Sequence, residues 1–301
     1  MTGERRPARL VVPVIALLVL GLLAAVAPRP SAGQGPAIEI HEVHEGHFLP
    51  VPGQPFFLLA LGSDARRGLI GQRADAIHLI GVNPGASAGT ILNFPRDTYV
   101  SIPGRGRDKI NAALELGGPR LVADTVQQLT GIPIAFVLIT RFEGLVAMVD
   151  ELGGLDIDIP FRMADRNSGA FFDAGRAHLG GEQTLAFSRN RNVSGGDFTR
   201  TQNQGHIILS ALTQLRATTT STADTLRYLA VLGRHTDING VGLPELYRLG
   251  RLALSLDPAN IRNVTMPGVI GQAGGASVVL PAGSAGGLFA DMRDDAVLQS
   301  H

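Results

Sequence analysis

Arg189, Arg191, Asp197 and Arg200, with Gln204 just beyond, crowd one short stretch of the chain, SRNRNVSGGDFTRTQNQ. Apolar sequence of helical character precedes it at Thr184 to Phe187 and follows it at Ile207 to Leu215. A Ser-Gly-Gly turn at Ser194 to Gly196 lies in its middle. A solvent-facing surface does not account for that setting. If Arg189 and Arg191 lie on extended chain, both point to one side, because strand side chains repeat every second residue. Such a fork of guanidiniums suits a phosphate or pyrophosphate, held by bidentate charge-assisted hydrogen bonds.

Acidic candidates come earlier. Asp64 follows an apolar segment in LGSDARRG, and Asp75 precedes another in QRADAIHL. If those segments are antiparallel neighbours, both carboxylates fall at one edge of a sheet. Two carboxylates with water and phosphate oxygens are the usual protein share of an octahedral Mg²⁺ site; taken alone, the pair reads as loop carboxylates that cap turns. Arg96 and Asp97 sit in NFPRDTYV, where Pro95 fixes the approach of the chain. By themselves they read as a structural ion pair. Lys109 in RDKINAAL opens a helix-like stretch, where it either meets a phosphate or is solvated.

Other chemistries are poorly served. The eight histidines show no HExxH or comparable metal spacing, and His41, His44 and His47 read as solvent-facing. GASAG at Gly85 to Gly89 has the GxSxG pattern. A nucleophile elbow needs a helix after it, whereas the extended TILNF follows here, so Ser87 belongs to a hairpin turn. No GxxxxGK[ST] or GxGxxG pattern occurs. Cysteine is absent, which removes disulfides, thiolate metal sites and a cysteine nucleophile. Aromatics make up 5% and Trp is absent, against a base-stacking nucleic-acid platform. With a formal net charge of +0 over 301 residues, no global field draws in polyanions, and an anion site must be a local concentration of arginine.

The elements that must position these residues can be read from periodicity. An apolar content of 45% is ample for a packed core. Strands are expected at Phe56 to Gly62, Ala76 to Asn83, Thr90 to Phe94, Thr98 to Ile102, Ala135 to Thr140, Leu155 to Pro160, Asn263 to Pro267 and Ser277 to Leu280. Helices are expected at Asn111 to Leu116, Pro119 to Leu129, Phe142 to Leu152, from Gly181, from Asp197 or Thr199 to Leu215, at Asp224 to Leu232, at Leu243 to Leu252 and at Ala285 to Met292. Interleaved strands and helices imply an α/β fold of three layers, a central mixed sheet flanked by helices. Ahead of it, Arg5, Arg6 and Arg9 precede an uncharged run from Leu10 to Ala27, close to the roughly 20 residues a membrane-spanning helix needs. The positive flank predicts a cytoplasmic N-terminus and an exported body. The competing reading, a signal peptide cleaved after Ala25-Val26-Ala27, is opposed by Pro28. The organisation expected is thus a cytoplasmic tail (1–9), a transmembrane anchor (10–27), a linker (28–55), one catalytic domain (56–292) and a C-terminal tail (293–301).

Seven segments in order, LLALGSDAR, QRADAIHLIGVNP, NFPRDTYVSIPG, DKINAALELGGP, FEGLVAMVDELGGLDIDIP, GRAHLGGEQTLAFSRNR and GDFTRTQNQ, resemble the LytR-CpsA-Psr family of bacterial cell-envelope proteins, from about Phe56 to Leu215. The resemblance implies an extracytoplasmic, membrane-held phosphotransferase. Such enzymes attach glycopolymers, delivered on a polyprenyl pyrophosphate, to peptidoglycan. It implies that Asp64 and Asp75 are associated with Mg²⁺, and that Arg96, Arg189, Arg191 and Arg200 bind the pyrophosphate. Lys109, Gln204 and Arg73 join them, and Asp97 and Asp197 belong to the polar site. Either aspartate is a candidate to take the acceptor's proton, Asp97 ranking slightly ahead. Two departures stand out: Asn93-Phe94 precedes the Pro-Arg-Asp where the family often has Ser-Ile, and Asn203 stands where an arginine is common. The same residues would serve a lipid pyrophosphatase, with water as the acceptor, or a non-catalytic wall tether.

Overall fold

The computed structural model describes residues 38–43, 54–63, 73–238 and 243–299. The run Leu10 to Ala27 expected to form an anchor, and Asp64, lie outside them. Among the described residues no helix is long and apolar enough to cross a membrane.

Along the chain run β1 (Ile38–Glu42), β2 (Phe56–Ser63), β3 (Ala74–Asn83), β4 (Ala88–Asn93), β5 (Tyr99–Ile102) and β6 (Gly106–Lys109). Helix α1 (Ala112–Thr130), β7 (Phe136–Arg141) and α2 (Phe142–Glu151) follow. Next come β8 (Leu155–Ile159), β9 (Met163–Asp165), β10 (Ala170–Phe172), β11 (Gly175–Leu179), α3 (Gly181–Arg189), α4 (Asp197–Thr218) and α5 (Thr222–His235). The chain closes with β12 (Thr236–Ile238), α6 (Leu243–Ser255), β13 (Ile261–Thr265), β14 (Gly268–Ala273), β15 (Ala276–Pro281) and α7 (Ala285–Asp295).

Seven strands form the central sheet in the order β12-β1-β7-β2-β3-β4-β13. It is mixed, as expected: β2 is antiparallel to β3 and parallel to β7, and β13 is parallel to β4. The β3–β4 turn holds Ser87 at φ 49, its amide 3.4 Å from the Pro84 carbonyl. Ser87 is therefore the hairpin residue the sequence indicated.

Alternation along the strands builds two unlike faces. Phe57, Leu59 and Leu61 of β2, with Ile77 and Leu79 of β3 and Val137 and Ile139 of β7, point to one side. There α1 and α7 cover them with Val122, Val126, Phe289 and Met292. On the opposite side lie α2 to α6, and the packing is uneven. Phe56 and Phe136 are buried with Leu249 and Leu252 nearby, but Leu58, Ala60, Gly62, Ala76, Ile80 and Leu138 stay only partly buried although they sit on central strands. An apolar lane thus runs along the middle of the sheet to the Gly62–Ala76 pair, one residue from Asp75.

Several boundaries differ from those expected. The linker assigned to 28–55 contains β1, which pairs with β7 and buries Ile40, while Glu39 meets Arg141 at 2.5 Å. Two isoleucines among polar residues carry too little signal alone, and the strand forms because distant β7 offers an edge. The tail assigned to 293–301 is packed: α7 runs to Asp295, and Ala296 and Leu298 are buried in the main core. Lys109 ends β6 rather than opening a helix. The break between the two expected helices at Gly117-Gly118 is a kink inside α1, ahead of Pro119.

Beneath α4 the sheet is polar. His78 Nδ1 lies 2.7 Å from Asn93 Oδ1, and Asn93 Nδ2 donates to Asn263 Oδ1 (2.7 Å) and to the Val264 carbonyl (2.8 Å). Gln202 of α4 donates to the Asn263 carbonyl at 2.6 Å and accepts from Thr265 Oγ1 at 2.6 Å. The helix comes this close because Gly205 has no side chain: a Cβ there would sit 2.2 Å from Asn263 Oδ1 and 2.5 Å from Asn93 Oδ1. Asn93 is thus a structural residue that ties α4 to the sheet.

Burial pushes the His78 imidazole down to about 4, its bond to Asn93 opposing the shift and the nearby Arg200 charge reinforcing it. The unfolded chain therefore takes up a proton that the folded chain refuses between about pH 6.5 and 4, and stability falls as pH drops through that window, by roughly 3 kcal/mol in total. Urea unfolding followed from pH 7 to 4 should show this loss, and a His78→Leu chain should show a flatter dependence on pH despite its lower starting stability.

Candidate functional site

The polypeptide turn that the sequence marked by Ser194 to Gly196 is made by glycines in left-handed conformations, Gly195 at φ 83 and Gly196 at φ 50. At Gly195 a Cβ would meet Thr199 Oγ1 at 2.5 Å, so only glycine fits. The turn delivers Asp197 to the first position of α4, where a carboxylate also suits the positive end of the helix dipole. One turn on, Arg200 is 4% exposed, its Nη2 2.9 Å from Asp197 Oδ1 and 3.4 Å from the Asp75 carbonyl. Burial pushes Arg200 down to about 10, with Asp197 opposing and Arg191 and Arg96 adding to the shift. It remains a cation at neutral pH.

A cavity of about 930 Å³ opens in front of this group. Among its lining residues are five arginines, Arg96, Arg166, Arg189, Arg191 and Arg200, against two carboxylates, Asp75 and Asp165. Arg96 reaches it from the Pro95 turn, which is closed by the Thr98 amide and hydroxyl on the Pro95 carbonyl. Its Nη1 pairs with Asp75 Oδ1, and its buried Nε has no partner. Arg189 ends α3 and stacks 5.9 Å from the Phe142 ring centre. Arg191 follows in the loop, 3.4 Å from Asp197 Oδ1. The extended geometry expected for this pair is thus wrong at Arg189, which is helical; the α3 C-terminus and the loop still bring both guanidiniums to the cavity. Gln204 donates from Nε2 to the Ser188 carbonyl at 3.2 Å, and its buried Oε1 is unpartnered.

The remaining expected residues fall at the edge or outside. Asp197 contacts Arg191 and Arg200, but neither of its oxygens accepts a hydrogen bond in a favourable direction. Asp97 pairs with Lys109 at 3.0 Å, and neither is among the lining residues. Arg73 pairs with Glu115 at 3.1 Å on the surface. Asp75 sits at the β2–β3 edge where the antiparallel register places it, next to the end of β2. No group of three acidic or imidazole side chains that could hold a metal occurs among the described residues.

Sequence reasoning passed over the β9–β10 turn, which forms the outer wall. Asp165 is 4% exposed and accepts from the Asn167 amide (2.9 Å), Ser168 Oγ (2.9 Å) and the Arg191 amide (3.4 Å). Burial alone would raise its carboxyl, but these donors outweigh it and hold it below the usual range. The same turn carries Arg166 into the cavity wall, and Asn192 secures it by donating to the Ala164 carbonyl at 3.0 Å. The signal was present in the Asp-Arg-Asn-Ser-Gly turn chemistry between short extended segments.

Fold and cavity together define an α/β protein with a cavity walled by five arginines at the end of an apolar lane. Residues 38–286 match the model of the LytR_cpsA_psr family, and the chain belongs to that family. Among curated proteins it is similar to the polyisoprenyl-teichoic acid–peptidoglycan teichoic acid transferase TagU of Oceanobacillus iheyensis, 37% identical over 164 residues, which are 52% of this chain and 50% of that protein. The chain therefore spans about half the length of the curated relatives it matches. Its fold matches the crystal structure of Bacillus subtilis TagV, with a TM-score of 0.67, 25% identity, and coverage of 79% of this chain and 95% of that one. It also matches YwtF (TagT) with bound octaprenyl pyrophosphate lipid, with a TM-score of 0.64 at 20% identity, covering 90% and 99% of the two chains.

Asp165 ties the outer wall to the arginine loop, so Asp165→Ala should leave the Arg191 and Asn167 amides unpaired and cost about 1–3 kcal/mol in chemical denaturation. Calorimetric titration with inorganic pyrophosphate should show weakened, not abolished, binding, because the guanidiniums remain.

Proposed function

We propose that this chain moves a glycopolymer from a polyprenyl-pyrophosphate carrier to peptidoglycan, working outside the cytoplasmic membrane with Mg²⁺. The observation that carries this reading is the meeting of two unlike surfaces: five arginines around one cavity, and an apolar lane on the sheet that leads to Asp75 at its edge. A donor with a diphosphate head and a prenyl tail is complementary to that pair of surfaces. The curated relatives named as teichoic acid transferases, and the similar fold named with a bound octaprenyl pyrophosphate, support the same class of substrate. The arginine-flanked run Leu10 to Ala27 supports membrane attachment with the body outside.

The chemistry asked of the side chains is positioning and electrostatics. A sugar hydroxyl of the acceptor attacks the phosphorus that carries the glycopolymer. A phosphorus–oxygen bond to the acceptor forms, the bond to the bridging oxygen breaks, and prenyl phosphate leaves. Arg96, Arg191 and Arg200 neutralise charge gathering on that bridge, in a site where burial strengthens each contact. Arg191, whose side chain is 43% exposed, has a face open to donate. Asp75 fits a Mg²⁺ ion, which takes one or two carboxylates together with phosphate oxygens and water, and Asp64 is the expected second. When bound, the ion would neutralise phosphate charge. Of the two carboxylates weighed as acceptor of the hydroxyl proton, neither lines the cavity: Asp197, its oxygens buried, pairs with the cavity arginines Arg191 and Arg200, and Asp97 is held by Lys109. Asp197 is therefore a positioning residue for those two arginines.

Arg96→Ala and Arg191→Ala should each lower transfer by about 10²-fold or more while leaving thermal unfolding close to that of the parent chain. Asp197→Asn should cost more activity than Asp97→Asn. Chelation should stop turnover and Mg²⁺ should restore it. Mass spectrometry of products formed from a lipid-pyrophosphate donor with a peptidoglycan acceptor decides the reading: polymer joined to acceptor supports it, and free polymer phosphate in its place shows hydrolysis.

A further inference from the structure

The five arginines of the cavity are not alike. Four have a fixed companion: Arg96 pairs with Asp75, Arg191 and Arg200 share Asp197, and Arg189 lies over the Phe142 ring. Arg166 lines the same cavity, is exposed, and has no ion pair, hydrogen bond or ring contact among the described residues. The carboxylate beside it in sequence is not its counter-ion. Asp165 gives its oxygens to the Asn167 amide, Ser168 Oγ and the Arg191 amide. The turn that carries Arg166 is stiff. The Gly169 amide donates to the Asp165 carbonyl at 2.9 Å, the Ala170 amide donates to Ser168 Oγ at 3.3 Å, and Phe172 of β10 packs edge-on against the buried Phe187 at 6.4 Å. A cation on a fixed base is thus held at the cavity wall without a partner from the protein.

Its position says which part of a ligand it would meet. A run of contacts crosses the site, from the Asp75 carbonyl to Arg200 (3.4 Å), from Arg200 to Asp197 (2.9 Å), from Asp197 to Arg191 (3.4 Å) and from the Arg191 amide to Asp165 (3.4 Å). The apolar lane reaches this run at Asp75, beside the Gly62–Ala76 pair. Arg166 stands at the other end. On the function proposed above, the prenyl tail enters by the lane and the diphosphate lies over the middle arginines, so the saccharide comes to the outer wall. At about 930 Å³ the cavity has the volume of a site for a drug-sized ligand, more than a diphosphate fills. Asn167 and Asn192 line the same wall and offer amide groups suited to sugar hydroxyls.

We infer that Arg166 forms an outer subsite that selects a saccharide substrate carrying an anionic group, a phosphate or a carboxylate. The inference rests on the proposed transfer. A guanidinium grips such a group with a bidentate fork of charge-assisted hydrogen bonds, and a neutral sugar leaves the fork unused. Two partners could bring the charge to this wall. The polymer on the donor leaves the diphosphate on the side away from the lane. The acceptor hydroxyl approaches from that side too, because in-line displacement puts it opposite the departing prenyl phosphate. The recognition chemistry is the same for both, and Arg166 then acts on substrate choice, apart from the arginines assigned to the bridging oxygen.

The test uses the full chain with short-prenyl diphosphate saccharides, one neutral and one bearing a phosphate on its sugar, and with soluble peptidoglycan fragments whose peptide carboxylates are free or amidated. The parent chain should favour the charged member of one of these pairs in kcat/KM by about tenfold, the worth of one hydrogen-bonded charge contact. In Arg166→Gln that ratio should fall to near one, through KM rather than kcat, and Arg166→Lys should restore part of it. Discrimination lost between the donors places the anion on the polymer, and discrimination lost between the fragments places it on the acceptor; either supports the subsite. Ratios equal in the parent and Arg166→Gln for both pairs, whether all rates fall or none moves, overturn it. Calorimetric titration with the same donors and fragments reads the subsite without turnover. A parent chain that transfers nothing removes the proposed function, and tighter binding of a charged compound, lost in Arg166→Gln, would still support the subsite, whereas equal binding would sink it as well.

Discussion

Like charges set the terms of this molecule. Guanidiniums crowded into one partly buried cavity repel each other: burial lowers the proton affinity of Arg200 most, and the Arg191 and Arg96 charges add to it. The fold answers with carboxylates placed between the cations. Asp75 holds Arg96, and Asp197 sits between Arg191 and Arg200. These counter-ions only partly offset the excess. The residual positive field in this partly buried site is what an incoming diphosphate would neutralise. The site is thus under electrostatic tension that an anionic ligand would relieve, and the pairs that now hold the guanidiniums are ones a ligand's oxygens would replace.

Such a site needs a rigid frame, because repelling groups drift apart on a soft one. Rigidity here comes from the polar contact between α4 and the sheet. The bonds joining His78, Asn93, Asn263, Gln202 and Thr265 are directional, and Gly205 lets the helix backbone approach closely enough to make them. An apolar contact at the same place would fill space but would not fix the rotation of the helix about its axis. That rotation decides whether Arg200 and Gln204 face the cavity. A neutral His78 is part of the same solution, since a second cation beneath Arg200 would add to the repulsion already present.

Most of the frame was legible in the sequence because it rests on local signals. The apolar runs at β2, β3 and β7 and the turn at Ser87 announce themselves within a few residues, as do the break at Gly117-Gly118 and the glycines before Asp197. What escaped depends on distant partners. β1 has two isoleucines and becomes a strand only against β7. β14 reads as a glycine-bearing loop until β15 pairs with it. The cavity divides the same way. Arg189, Arg191 and Arg200 stand together in sequence, and Arg96 was marked by its proline. Asp165 and Arg166 were not, because their role arises from a hydrogen bond to the Arg191 amide 26 positions away. Lys109 and Asp97 illustrate the reverse: residue types suited to phosphate chemistry that the fold spends on each other.

The two faces of the sheet divide the burial that holds the domain together from the looser packing that the proposed lipid-bearing substrate would use. On the side of α1 and α7 the alternating positions are fully buried, and this face supplies the apolar burial that holds the domain together. On the other side, Leu58, Ala60, Ile80 and Leu138 are left partly uncovered. A sheet with both faces packed to that density would have no room for an apolar guest, and one with both faces loose would not stay folded against the repulsion at its end. Dividing the labour between faces lets the incomplete packing sit directly beside the arginines, since two small residues of that lane, Gly62 and Ala76, flank the approach to Asp75. Larger side chains at those two positions would close the lane at its junction with the charged cavity, which is the place where a molecule with a greasy tail and an anionic head has to bend from one environment into the other.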